Sequence, residues 1–138
     1  MKTPNIIKID LFSESRKRLL DLFPPKFEKI ECTHITLLFK PKERDFLNCG
    51  FVEGTQYQIV PTRYTCSDEI ETVEVRLYSK NENLIPFCQN KFPHITISHK
   101  EGVAPKKSNE ILERFADTDI VPKPIILNGV LNFFYWKK

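Results

Sequence analysis

Glycine occurs four times in 138 residues, histidine three times, alanine twice, and methionine and tryptophan once each. So little glycine leaves no Gly-rich phosphate loop, which removes the common dinucleotide-binding and P-loop architectures. Long apolar runs are missing too, and no segment approaches the ~20 residues that a bilayer-spanning helix needs. The opening stretch, Met1 to Asp10, is interrupted by Lys8 and Asp10 and is too polar for a secretory signal. A cytoplasmic protein without a membrane partner is therefore expected. Charge of one sign is scarce: 21 basic and 18 acidic residues give +3. That is too little for the basic stripe of a bulk nucleic-acid binder, but it is compatible with a local pocket for a small anion. Cys32, Cys49, Cys66 and Cys88 form no C-x-x-C pair and have no histidine at zinc-finger spacing. In a reducing compartment they are free thiols.

What is present fits one ordinary domain. The hydrophobic fraction of 41% and charged fraction of 28% are usual for a soluble chain, and the length suffices for a single core. Asn5 to Ile9 reads as a short edge strand. Leu11 to Phe23 reads as a helix capped by Asp10 or Ser13 and stopped by Pro24-Pro25. Strands follow at Thr33 to Phe39, at Tyr57 to Val60 (closed by Pro61, with Arg63 to Cys66 as a continuation beyond it), at Thr72 to Tyr78 and at His94 to Ser98. Lys42 to Asp45 and Ser79 to Asn83 read as turns. A second helix is expected from an N-cap at Ser108 through Asp117. The last two strands, Ile125 to Leu127 and Val130 to Trp136, are expected to meet at an Asn128-Gly129 hairpin. No regular βαβ alternation appears, so the fold class is α+β. The pattern divides into two halves, each with one helix and one histidine-bearing strand. The expected architecture is two pseudo-symmetric lobes of mainly antiparallel sheet with flanking helices and a central cleft, forming one domain over residues 1–138.

One short phrase occurs twice: His34-Ile35-Thr36 and His94-Ile95-Thr96. Residues i and i+2 of a strand share a face, so each copy presents an imidazole beside a hydroxyl. A His beside a Thr on a strand is ordinarily just a half-buried sheet pair. With nine threonines in the chain, though, composition alone gives two of three histidines a Thr at +2 about one time in a hundred. Two such pairs facing each other supply two titratable bases and two hydroxyl donors around one cavity. That set suits metal-free acid–base chemistry on a phosphodiester.

At these residues the chain resembles the two-histidine (LigT-like) phosphoesterase superfamily, whose signature is a pair of His-x-Thr/Ser motifs on facing strands. The copies here are Thr33-His34-Ile35-Thr36-Leu37-Leu38 and Phe92-Pro93-His94-Ile95-Thr96-Ile97-Ser98. The tail Glu101-Gly102-Val103, Pro105 and Ser108-Asn109-Glu110-Ile111-Leu112 is similar to the cyclic phosphodiesterase domain of fungal-type tRNA ligases. The resemblance spans roughly residues 10 to 136. It implies a phosphodiesterase for nucleotide or oligonucleotide substrates, with no cofactor and no metal. The kinase and ligase modules of those ligases are not in this sequence. Stand-alone members of the superfamily include RNA-end phosphodiesterases and viral enzymes that destroy 2′,5′-oligoadenylate or 2′,3′-cyclic GMP–AMP signals. Small size, the missing modules and an AT-rich residue bias point to the signal-degrading type, antagonising a host immune response. A 2′,3′-cyclic phosphodiesterase of RNA ends and a non-catalytic RNA-binding module are the alternatives.

The resemblance makes His34, Thr36, His94 and Thr96 the catalytic set. One histidine acts as base and the other as acid, and the threonines hold phosphoryl oxygens. Tyr57, Phe92, Lys100 and Tyr135 are candidates for substrate binding through base stacking or phosphate contact. Lys106 and Lys107 are weaker phosphate candidates, and Tyr64 is a weaker stacking one. His99 reads as a surface or loop residue. Cys32 reads as a small buried hydrophobe, with a nucleophile as its rival role.

Overall fold

The computed structural model describes residues 2–79, 88–114, 121 and 125–136. Its order is β1 (Ile6–Leu11), α1 (Ser13–Leu22), β2 (Lys29–Ile30), β3 (His34–Phe39), α2 (Glu43–Asn48), β4 (Gln56–Cys66), β5 (Ile70–Ser79), β6 (His94–His99), α3 (Lys107–Arg114) and β7 (Leu127–Phe134). The strands form one antiparallel sheet in the order β2-β6-β5-β4-β7-β1-β3, which bears out the α+β class. The long β4–β5 pair joins the two halves. Gln56 to Ile59 of β4 also pair with β7, whereas β5 carries β6 on its far side. Alternation buries Ile7, Ile9, Ile35, Leu37, Ile59, Ile95, Ile97, Leu127 and Leu131 completely, so one core underlies both histidine strands.

The sheet curls so that β3 packs near β6 although they lie far apart in strand order. Three successive residues make the crossing. Glu31 and Cys32 donate their N–H groups to Ile97 and Thr96 of β6, and the Thr33 carbonyl accepts from Leu11 N of β1. Cys32 takes a φ of 57° at this step. The outer edge of β3 is covered by Gln89, whose N–H bonds the Leu37 carbonyl at 2.8 Å and whose Oε1 accepts from Phe39 N at 2.9 Å.

Several sequence expectations are corrected. β1 is an interior strand between β7 and β3, because Ile7 and Ile9 supply a face worth burying on both sides. Pro61 does not close β4, which continues through Arg63 to Cys66 as the other reading had it; a register shift between Pro61 and Arg63 absorbs the missing N–H. Lys42 to Asp45 is not a simple turn, because α2 begins at Glu43. No hairpin forms at Asn128-Gly129; β7 runs straight through both. A Cβ at Gly129 would lie 2.6 Å from the Asp10 carbonyl and 2.8 Å from Ile9 Cγ2, so this glycine serves close strand approach. The N-cap of α1 is Phe12 without a side-chain bond, because Asp10 is spent inside β1 on Lys8 and Asn132. Ser108 lies within α3 and faces inward. The Ser79–Asn83 turn from residue 80 on, and the α3 extension beyond Arg114, fall outside the described residues.

Candidate active site

The strand pleat does to each His-x-Thr phrase what its spacing predicts. In β3 the intervening Ile35 is fully buried while His34 and Thr36 sit half-buried on the opposite face. In β6 Ile95 is buried and His94 and Thr96 share the other face. The curl of the sheet then sets these faces on one cavity of about 430 Å³, lined by all four residues together with Glu31, Asn90, Lys106 and Asn109. That volume lies in the range of sites for small organic ligands.

Burial holds both imidazoles below the ordinary histidine value. For His34, burial is reinforced by Lys8 and by His94 itself, while Asp10 and Glu31 pull the other way. For His94, burial is opposed by the Phe92 carbonyl and Glu74. Glu74 is the direct cross-strand partner of His94 and is held by Arg63 Nε at 2.7 Å. The ring contacts differ in kind. His94 Nδ1 lies 2.9 Å from the Phe92 carbonyl, which only accepts, so Nδ1 carries a proton and Nε2 is the free lone pair of the neutral ring. His34 Nδ1 lies 2.7 Å from the Thr33 hydroxyl, which both donates and accepts, so its tautomer is not fixed.

The threonines differ as well. Thr96 Oγ1 lies 2.8 Å from the Oγ of Ser108, a fully buried residue of α3, and 3.4 Å from the Pro105 carbonyl. If Ser108 donates, Thr96 keeps its own proton on the long Pro105 bond, ready to be exchanged for a ligand oxygen. Among the described residues the Thr36 hydroxyl has no such partner. Also among the described residues, no three His, Cys, Asp or Glu side chains converge as a metal-ligand set. Among the described residues no helix is long and apolar enough to cross a membrane.

The other sequence candidates lie elsewhere. Tyr57 is 6% exposed, a core residue of β4 paired across from Gly129 of β7. The Phe92 ring sits under the Arg63 guanidinium at 5.1 Å, so only its backbone carbonyl serves the site. Lys100 is exposed past the end of β6, and Tyr135 is exposed beside Lys2. None of these four lines the cavity. Lys106 lines it and Lys107 pairs with Glu110. Tyr64 stacks on Phe23 and donates to the buried Glu71 at 2.6 Å, away from the cavity. His99 is no surface residue: it is 8% exposed, with Nε2 3.1 Å from Glu31 Oε1. Burial pushes the Cys32 thiol up to about 12, which removes the thiolate a nucleophile needs. The residues that sequence reasoning missed are Glu31, Ser108, Asn90 and Asn109. Ser108 and Asn109 stood in the tail that resembles the tRNA ligase domain, where Ser108 read as a helix cap, whereas Glu31 and Asn90 gave no signal.

Comparison with known proteins adds to this geometry. Residues 31–125 match the family described as the fungal tRNA ligase phosphodiesterase domain. No curated protein sequence matches the chain. A structure described as "Crystal Structure of Fungal RNA Kinase" superposes with a TM-score of 0.59 at 16% identity, over 97% of this chain and 44% of that one. At that identity the likeness is one of fold, and the chain spans less than half the length of that protein.

Proposed function

Since the chain belongs to the fungal tRNA ligase phosphodiesterase domain family, we propose that its cleft hydrolyses a phosphodiester involving a ribose 2′-oxygen, with His34 and His94 as the acid–base pair. The observation that carries this reading is the convergence of both His-x-Thr pairs on one cavity. His94 is the base: its Nδ1–H is committed to the Phe92 carbonyl, and Nε2 accepts the proton of the attacking water. His34 is the acid: its Thr33 contact leaves its tautomer open, Asp10 and Glu31 offset part of the lowering by burial and Lys8, and it donates to the leaving ribose oxygen. Thr36 and Thr96 hydrogen-bond the non-bridging oxygens as charge builds on them. The imidazoles handle both proton transfers, so this chemistry asks nothing of a metal. One domain holds the whole site.

The family favours the 2′,3′-cyclic phosphate of an RNA end as substrate. The second reading is a 2′,5′-linked signal of the oligoadenylate or 2′,3′-cyclic GMP–AMP type, whose loss would blunt a host response. It is supported by a cavity roomy enough for a compact nucleotide ligand. The test is a product assay in EDTA against a cyclic mononucleotide, an RNA with a 2′,3′-cyclic end, a 2′,5′-oligoadenylate and the mixed-linkage cyclic dinucleotide. His34→Ala and His94→Ala are each expected to cost at least ~100-fold. Dependence on added metal would sink the two-imidazole scheme, and no turnover of any substrate would leave a binding module.

A further inference from the structure

The sheet face that carries His34 and Thr36 continues past the cavity rim. Ile6, which lines the cavity, is the cross-strand partner of both Phe39 on β3 and Phe134 on β7. Phe39, Phe134 and Trp136 are 50%, 42% and 43% exposed. The Phe39 and Trp136 ring centres lie 6.3 Å apart, edge to face. Lys40 Nζ stands 4.9 Å from the Trp136 ring centre, and Lys8 Nζ stands 5.1 Å from that of Phe134. A hydrogen bond of 2.7 Å from Trp136 N to Asn5 Oδ1 pins the backbone that presents the indole.

Scattered exposed aromatics need no explanation, but a contiguous group interleaved with cations is different. Phe39 lines the catalytic cavity and also an adjoining recess bordered by Lys40, Lys42 and Asp45, so the two concavities share a wall at this ring. Aromatic faces alternating with lysines suit a flexible polyanion whose bases stack while its phosphates meet the ammonium groups. We propose that this Phe39–Trp136–Lys40 surface is a track for single-stranded RNA, seating the nucleotides that precede the end held in the cavity. The inference rests on the phosphodiesterase reading for its direction, and it turns that site into one selective for polymeric over mononucleotide substrate.

Trp136 is the only tryptophan in the chain, so its fluorescence reports the track directly. A His34→Ala/His94→Ala double variant is titrated with a single-stranded ten-nucleotide RNA bearing a 2′,3′-cyclic end. Saturable quenching that weakens with salt is expected, and Lys40→Gln should shallow the log–log salt dependence by about 0.7. In the otherwise unaltered chain, Trp136→Ala should cost about tenfold in kcat/KM on that RNA and less than about twofold on a cyclic mononucleotide. Quenching without turnover in the unaltered chain would uphold the track and reject the catalytic reading. Turnover with no quenching, or with equal loss on both substrates, would reject the track and leave the patch to a protein surface.

Discussion

Ser108→Ala tests whether the second motif is built from behind. Ser108 is fully buried, and its Oγ lies 2.8 Å from Thr96 Oγ1. Its removal loses one neutral hydrogen bond, about 1 kcal/mol of stability. Thr96 retains the 3.4 Å contact to the Pro105 carbonyl, so no hydroxyl is left without an acceptor. Without the Ser108 donor the Thr96 hydroxyl is held by that long bond alone, so it rotates more freely and its proton is less often aimed into the cavity. Loss of a direct donor to a developing oxyanion costs roughly 100-fold or more, and Thr96→Val should fall there. Ser108→Ala, which only misdirects that donor, should cost about tenfold, chiefly in kcat because the phosphoryl charge grows toward the transition state. The decisive assay is the double-mutant cycle on a cyclic mononucleotide. The double variant should be no slower than Thr96→Val alone, because Ser108 acts only through Thr96. Multiplying losses, or a change confined to KM, would refute the argument.

Three further outcomes follow from the electrostatics. Because burial holds His34 and His94 below 6.5, the unfolded chain binds protons that the folded one does not. Stability is therefore complete above 6.5 and declines as pH falls through that value toward the depressed native ones. Thermal melts between pH 7.5 and 5 should show this slope, flattened in the double alanine variant. Glu74→Gln breaks the 2.7 Å pair with the buried Arg63 and removes a carboxylate that props up His94. It should cost about 2 kcal/mol in denaturant melts, since the pair is only partly exposed, and move one limb of the pH–rate profile to lower pH. Cys32→Ala should keep turnover within about threefold, and native Cys32 should resist alkylation at pH 8, its thiol lying near 12. Abolished turnover would restore the nucleophile.

What was legible in the sequence is what strand periodicity alone decides. His34, Thr36, His94 and Thr96 share faces because the pleat has period two, whatever the neighbouring strands do. The α+β class followed from the absence of βαβ alternation. The misreadings share a cause: they treated a local signal as sufficient where packing had the deciding vote. Asn128-Gly129 has the chemistry of a hairpin, yet the glycine is needed because β1 passes against it. Ser108 has the chemistry of a cap, yet its hydroxyl is turned inward onto Thr96. His99 follows Ser98 at a strand end and looks exposed, until Glu31, 68 residues earlier, arrives beside it. Such contacts are set by the curl of the sheet, which no short window encodes.

The twin motifs are alike in sequence and unequal in support, and the inequality runs with the roles proposed for them. On β6, an interior strand, a backbone carbonyl fixes the His94 ring and Ser108 fixes Thr96. A base needs its lone pair committed before substrate arrives, and that wall commits it. On β3, the edge strand, His34 rests on a hydroxyl able to take either role in the bond, beside carboxylates on one flank and Lys8 on the other. An acid must hold a proton before the reaction begins, and the Thr33 hydroxyl can accept from Nδ1–H of the protonated ring and still bond the neutral one. Such inequality needs no change in either three-residue phrase. It comes from Thr33 on one side, and from Phe92 and Ser108 on the other.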